Sequence, residues 1–183
     1  MNLDQQIQIW SVVGTWLAGA ATLGAVIVSL HLARRAERIR VRANVGIRLV
    51  FAGDGTPAEE SVGFTIVNLG DRTVTVNSVG WSVGRRRRAR FCIQPLKGQY
   101  TSHCPRQLMH GEQATFMVSF LEYPDWPKEF ANGFIQDLSP KNLRTLRAIF
   151  HTSVGEQIQV APEENLLHRL RESSALKTDP SPR

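Results

Sequence analysis

Between Asp4 and Arg34 the chain contains no aspartate, glutamate, lysine or arginine. A helix on the surface of a soluble domain carries charge on its outer face, and buried helices seldom run this long uncharged. Cysteine is scarce as well: Cys92 and Cys104 alone are too few for a disulfide framework. They would form one bridge in an oxidising compartment and stay reduced in the cytoplasm. Catalytic signatures are scarce too. No P-loop, H-E-x-x-H or C-x2-C pair occurs, and the carboxylates are scattered without acid–base spacing. The literal G-x-S-x-G at Gly80-Trp81-Ser82-Val83-Gly84 falls in an alternating strand run rather than at a strand-to-helix turn. An enzyme is not expected, nor a cofactor.

The uncharged run, IWSVVGTWLAGAATLGAVIVSLHLA at residues 9–33, is followed at once by RRAERIRVR. At about 1.5 Å per residue, such a helix crosses the roughly 30 Å hydrocarbon core of a bilayer with some tilt. A secretory signal peptide would need a positive start and a cleavage site after a shorter apolar stretch. Here MNLDQQIQIW has no positive side chain, and apolar residues continue past Ala18-Gly19-Ala20. Residues 9–33 therefore read as a transmembrane helix, after a short extracytoplasmic stretch 1–8 and before a basic linker 34–43.

Lysine and arginine beside a span are retained on the cytoplasmic side. Arg34, Arg35, Arg38, Arg40 and Arg42 follow the helix, and only Asp4 precedes it. The N-terminus is expected outside and the C-terminal domain in the cytoplasm. Trp10 suits the outer interface, while His31, Arg34 and Arg35 suit the inner one. Gly14, Ala18, Ala21 and Ala25 share one stripe of the helix, where a second backbone could approach closely. That face is the candidate for self-association or for docking on a partner membrane protein.

From residue 44 to 161 the apolar period changes to two, the mark of half-buried strands. Inward positions are expected at Val45, Ile47, Leu49 and Phe51, then at Phe64 and Ile66. Residues 73–83 switch parity between Val74/Val76 and Val79/Trp81/Val83, which predicts a bulge near Asn77-Ser78. Ala89, Phe91 and Ile93 should point inward, with Arg88 and Arg90 outward. Residues 95–112 read as a long loop. Ala114, Phe116, Val118 and Phe120 mark a strand, and Asp125-Trp126-Pro127 opens a short helix placing Phe130 and Phe134 on one face. Leu146, Ala148 and Phe150 form a strand that turns at Val154-Gly155 into Ile158 and Val160. The expected fold is mainly β, an antiparallel immunoglobulin-like β-sandwich of about seven strands. A small barrel is the alternative. A short helix over 162–172 would pack Leu166, Leu167 and Leu170 on it, and 173–183 reads as a disordered tail.

Charge is concentrated. Of the net +6, residues 34–48 contribute six Arg against one Glu and residues 85–90 five Arg, so the remainder is negative. Arg34, Arg35 and Arg38, with Arg85, Arg86, Arg87, Arg88 and Arg90, are the candidate contacts for an anionic inner leaflet or another acidic surface. The plainer alternative is a solvated hairpin tip guarding a sheet edge. Stacking aromatics are not interleaved with the Arg run, so no nucleic-acid partner is expected. His103-Cys104, His110 and Cys92 hold metal-ligating atoms, but H-C-x5-H is not a recurrent ligand spacing, and no metal site is called. Ser153 beside His151 is read as a chance juxtaposition.

The run FTIVNLGDRTVTVNSVGWSVG at 64–84, Leu108-x-x-Gly111-Glu112 and the hairpin at Ser153-Val154-Gly155 add a resemblance. With the N-terminal helix, they resemble a loose group of small bacterial and phage-associated single-pass membrane proteins of unassigned function. In that group one helix precedes an immunoglobulin-like sandwich. The resemblance implies a bacterial inner-membrane setting and carries over no active site. Three functions remain open: a non-enzymatic binding or scaffolding module, a phage-defence or exclusion effector acting through helix association, and an extracytoplasmic domain with inverted topology.

Overall fold

The computed structural model describes residues 3–36, 38–51, 57–85 and 88–175. The chain divides into two compact units, Met1–Ile39 and Arg40–Arg183.

The first unit is one helix, α1 (Leu3–Ala36), of 34 residues. Its 23-residue segment Val12–Arg34 is long and apolar enough to span a membrane, and none of it is buried. Large side chains all round the helix, Trp16, Leu17, Leu23 and Ile27 among them, are exposed. A helix in water would bury one such face, so the whole circumference is suited to lipid. Gly14, Gly19 and Gly24 interrupt it, which costs a water-exposed helix about 1 kcal/mol each but is common within spans.

Among the described residues, the second unit holds eight strands in two antiparallel sheets. One sheet orders β1 (Val41–Phe51), β2 (Pro57–Asn68) and β6 (Gln113–Ser119). The other orders β4 (Arg90–Ile93), β3 (Val74–Val83), β7 (Arg147–Thr152) and β8 (Gln157–Val160), with β5 (Arg106–Leu108) also paired to β3. Alternating side chains put Val62, Phe64 and Ile66 of β2, and Ala114, Phe116 and Val118 of β6, on one inner face. Val79, Trp81 and Val83, with Ala148 and Phe150, supply the other. The faces interlock through aromatic rings: Phe64 lies 5.1 Å from Trp81 and 6.4 Å from Phe150, and Phe116 lies 6.5 Å from Phe150. Such edge and tilted contacts add to the burial of apolar area that drives the sheets together. The expected bulge is present, as a register shift between Val76 and Ser78 opposite β7.

Three expectations about the strands are corrected. Phe91 and Ile93 are exposed and Cys92 is the residue of β4 packed on the core. The reason is register: Cys92 lies opposite inward-facing Trp81, and directly opposed residues share a face. In β1 the inward pattern ends at Ile47, and Leu49 and Phe51 are exposed. There β1 pairs with residues 57–60 of β2, beyond the stretch of β2 that β6 covers. The loop 95–112 contains β5, which pairs with Val74–Val76 while β4 pairs with Gly80–Val83, so one flank of β3 carries two short strands. Only Leu108 of β5 is buried, too little to produce an alternating signal.

The expected single helix is α2 (Trp126–Glu129), continued by a π-helical turn over Phe130–Ile135, and a further short helix, α3 (Pro140–Leu143), precedes β7. Phe130 and Phe134 do share a face, 5.3 Å apart.

The last helix, α4 (Glu164–Ala175), extends through 173–175, where a tail was expected; residues 176–183 lie outside the described residues. Leu166 and Leu170 are fully buried. The chain entering α4 covers the outer edge of β1: the Glu163 N–H donates to the Val45 carbonyl at 2.8 Å, and Asn165 exchanges two bonds of 3.2 Å with Ile47. An unpaired strand edge is thereby occupied. Arg48 then donates to both Glu163 carboxylate oxygens, at 2.6 and 2.5 Å.

Those donated bonds hold the Glu163 carboxyl below its ordinary value of 4.5, against the upward pull of partial burial. A lowered folded pKa stabilises the fold above the unfolded value, and the contribution disappears as pH falls through the lowered one. Both side chains are about one-third exposed, so screening keeps the pair near 1 kcal/mol. Glu163→Gln should therefore lower the thermal midpoint by a few degrees at pH 7 and by less at pH 3, as followed by circular dichroism.

Candidate anion-facing surface

The turn from β3 to β4 presents the basic run. Gly84 starts it at φ 98°, a left-handed conformation that glycine adopts without strain, and the Arg88 N–H closes it onto the Arg85 carbonyl at 3.1 Å. A side chain at Gly84 would also meet the Arg88 carbonyl at 2.7 Å. Arg85 and Arg88 are exposed, and Arg86 and Arg87 lie outside the described residues. Arg90 differs in its setting: its guanidinium donates to the Ile135 carbonyl at 2.7 Å, tying β4 to the end of the π-helical turn.

The turn has a neighbour that sequence reading missed. The Gly84 N–H donates to Thr145 Oγ1 at 2.8 Å, and that hydroxyl donates to the Asn142 carbonyl at 2.6 Å. The β3–β4 turn is thus fastened to the segment between α3 and β7. Two adjoining depressions, of about 420 and 460 Å³, meet at this clasp, and Arg85 and Arg144 line both. Arg147 borders the first and Lys141 the second. Arg147 is held by its own bonds to the Arg144 and Leu146 carbonyls, at 2.9 and 2.7 Å. The one carboxylate among the lining residues, Asp137, accepts from the Ser139 N–H and hydroxyl at 2.9 and 3.0 Å. Among the described residues, no carboxylate pairs with Arg85, Lys141 or Arg144. The only trace of this in sequence is the three-residue spacing of Lys141, Arg144 and Arg147 before a strand.

No family model matches the chain, and neither does any curated protein or solved structure.

The remaining candidates are placed as follows. Arg34 is exposed in the last turns of α1 and Arg38 is exposed just beyond it, while the side chain of Arg35 lies outside the described residues. Gly14, Ala18, Ala21 and Ala25 are all exposed, and a methyl group at Gly14 would meet nothing within 4 Å. His103 and Cys104 line a separate depression of about 460 Å³ beside Lys97, whose ammonium sits 4.7 Å from the Tyr123 ring centroid. Burial raises the thiol pKa of both Cys92 and Cys104, which disfavours a reactive thiolate at either. His110 stands apart, with Nδ1 3.3 Å from the Gly70 carbonyl. Among the described residues, no three His, Cys, Asp or Glu side chains converge as a metal site.

Proposed function

We propose that this is a single-pass protein of the bacterial inner membrane whose cytoplasmic domain is a non-enzymatic binding or scaffolding module for an acidic surface. The observation that carries this reading is the pairing of an apolar 23-residue span, Val12–Arg34, with arginines at one end only. Positive charge beside a span favours the cytoplasmic side. An anionic leaflet attracts basic segments held near it, at about 1 kcal/mol per arginine.

The domain is read as immunoglobulin-like, and strand order supports that. Taken as strands A, B, C, C′, E, F and G, β1, β2, β3, β4, β6, β7 and β8 give sheets A-B-E and C′-C-F-G. Trp81 then occupies the tryptophan position on strand C, and the Phe64–Phe150 contact stands where antibody domains carry their inter-sheet disulfide.

All buried apolar residues of the core lie between Val45 and Leu170, so a fragment of residues 40–183 retains it. Arg87→Gln with Arg88→Gln should weaken that fragment's binding to phosphatidylglycerol vesicles roughly thirtyfold in a sedimentation assay at low salt. Unchanged binding would remove the acidic-surface reading.

A second reading, a phage-defence or exclusion effector that acts through helix association, is favoured by the exposed small-residue stripe alone. Overexpression toxicity lost on Gly14→Leu or Ala18→Leu would support it. Growth that neither substitution alters would count against it.

A further inference from the structure

We infer that the clasped groove between the β3–β4 turn and the α3–β7 segment binds a phosphate group, with Arg85 and Arg144 as its two principal contacts. The inference rests on the acidic-surface reading for its setting and adds the chemistry of the ligand.

Three observations support it. First, the cations come from segments about sixty residues apart and are brought together by a defined hydrogen-bonded link, Gly84 N–H to Thr145 Oγ1 to the Asn142 carbonyl. A merely solvated hairpin tip would require no such link. Second, Arg85 and Arg144 face both depressions while Lys141 flanks one of them, and no carboxylate neutralises these three among the described residues. Like charges gathered this way repel one another unless an anion sits between them. Third, the polar groups already committed are the ones that shape the groove. Arg147 is fixed by two backbone carbonyls and Asp137 is turned onto Ser139, which leaves the Arg85 and Arg144 forks available.

Phosphate suits this arrangement better than a carboxylate. A guanidinium engages two oxygens of one anion at once, and a single arginine satisfies a carboxylate. A phosphate monoester offers three oxygens and nearly two charges, enough for two arginine forks and a lysine. Such a group is carried by a phosphatidic-acid headgroup or by a soluble phosphate ester.

The test uses the full chain in phosphatidylcholine nanodiscs, titrated calorimetrically with inorganic pyrophosphate. Saturable binding is expected, weakened at least tenfold by Arg144→Gln and further by Lys141→Gln in the same chain. Arg106→Gln on β5, which removes an exposed charge outside the groove, should change affinity less than twofold. Arg88→Gln, at an exposed residue that lines neither depression, should retain most pyrophosphate binding even where it weakens vesicle binding, so the groove and the acidic-surface reading fail separately. Discs containing phosphatidic acid distinguish the source: pyrophosphate binding suppressed beyond the level seen with equal phosphatidylglycerol indicates the lipid headgroup, and equal suppression indicates a soluble ester. No binding by the wild-type chain, or equal loss in Arg144→Gln and Arg106→Gln, would overturn the inference.

Discussion

Replacing Gln94 with leucine should destabilise the β domain by several kcal/mol. Gln94 is buried between two tryptophans: its Oε1 accepts from Trp81 Nε1 at 3.1 Å and from Trp126 Nε1 at 3.3 Å. Its amide nitrogen donates to the Pro95 carbonyl at 2.9 Å. Leucine fills much of the same space but offers no acceptor, so two indole N–H groups would be left unsatisfied. Each stranded donor costs about 1–3 kcal/mol, against a total stability of roughly 5–15 kcal/mol for a domain. The thermal midpoint should fall by on the order of 10 °C.

The Gln94 bonds have consequences beyond the two indoles. Trp126 stacks on Phe130 at 4.6 Å, and Phe130 lies 5.0 Å from Trp81. Gln94 therefore ties the α2 segment to the core. Trp126→Phe introduced into the Gln94→Leu chain should recover part of the loss, because one stranded donor leaves with the indole. A midpoint within 2 °C of wild type for Gln94→Leu would show that the two-indole clasp is not stabilising.

Sequence patterning carried most of the fold because burial of one face leaves a period. The β2 run around Phe64, the bulge beside Ser78, the hairpin at Gly155 and the docking of Leu166 and Leu170 all follow from alternation, parity switches or helical spacing. The β4 parity did not follow. Phe91 and Ile93 are the apolar residues of that strand and Cys92 the modest one, yet pairing with Trp81 selects Cys92. Register is a property of two strands, and one strand's composition does not reveal it. The groove was hidden for a related reason. Arg85 was visible as part of a charge run, but Arg144 and Lys141 join it only through the bond between Gly84 and Thr145. Gln94 gave no signal at all, being one polar residue between the strand at Ala89, Phe91 and Ile93 and the loop read over 95–112.

The second large effect belongs to α1. Aspartate at the centre of a span costs about 2.5–3.5 kcal/mol, so Ala21→Asp with Gly24→Asp should cost roughly 6 kcal/mol of insertion free energy. The wild-type chain is expected in the membrane pellet after an alkaline wash and the double variant in the supernatant or in aggregates. A wild-type chain washed out without detergent would refute the span itself.

Orientation is the claim on which the cytoplasmic binding module depends, and reporters fused after Arg183 test it directly in bacterial cells. A fluorescent protein that matures only in the cytoplasm should light up, and alkaline phosphatase, which folds only outside it, should stay inactive. Active phosphatase with a dark fluorescent fusion would place the β domain on the opposite side of the membrane and contradict the account.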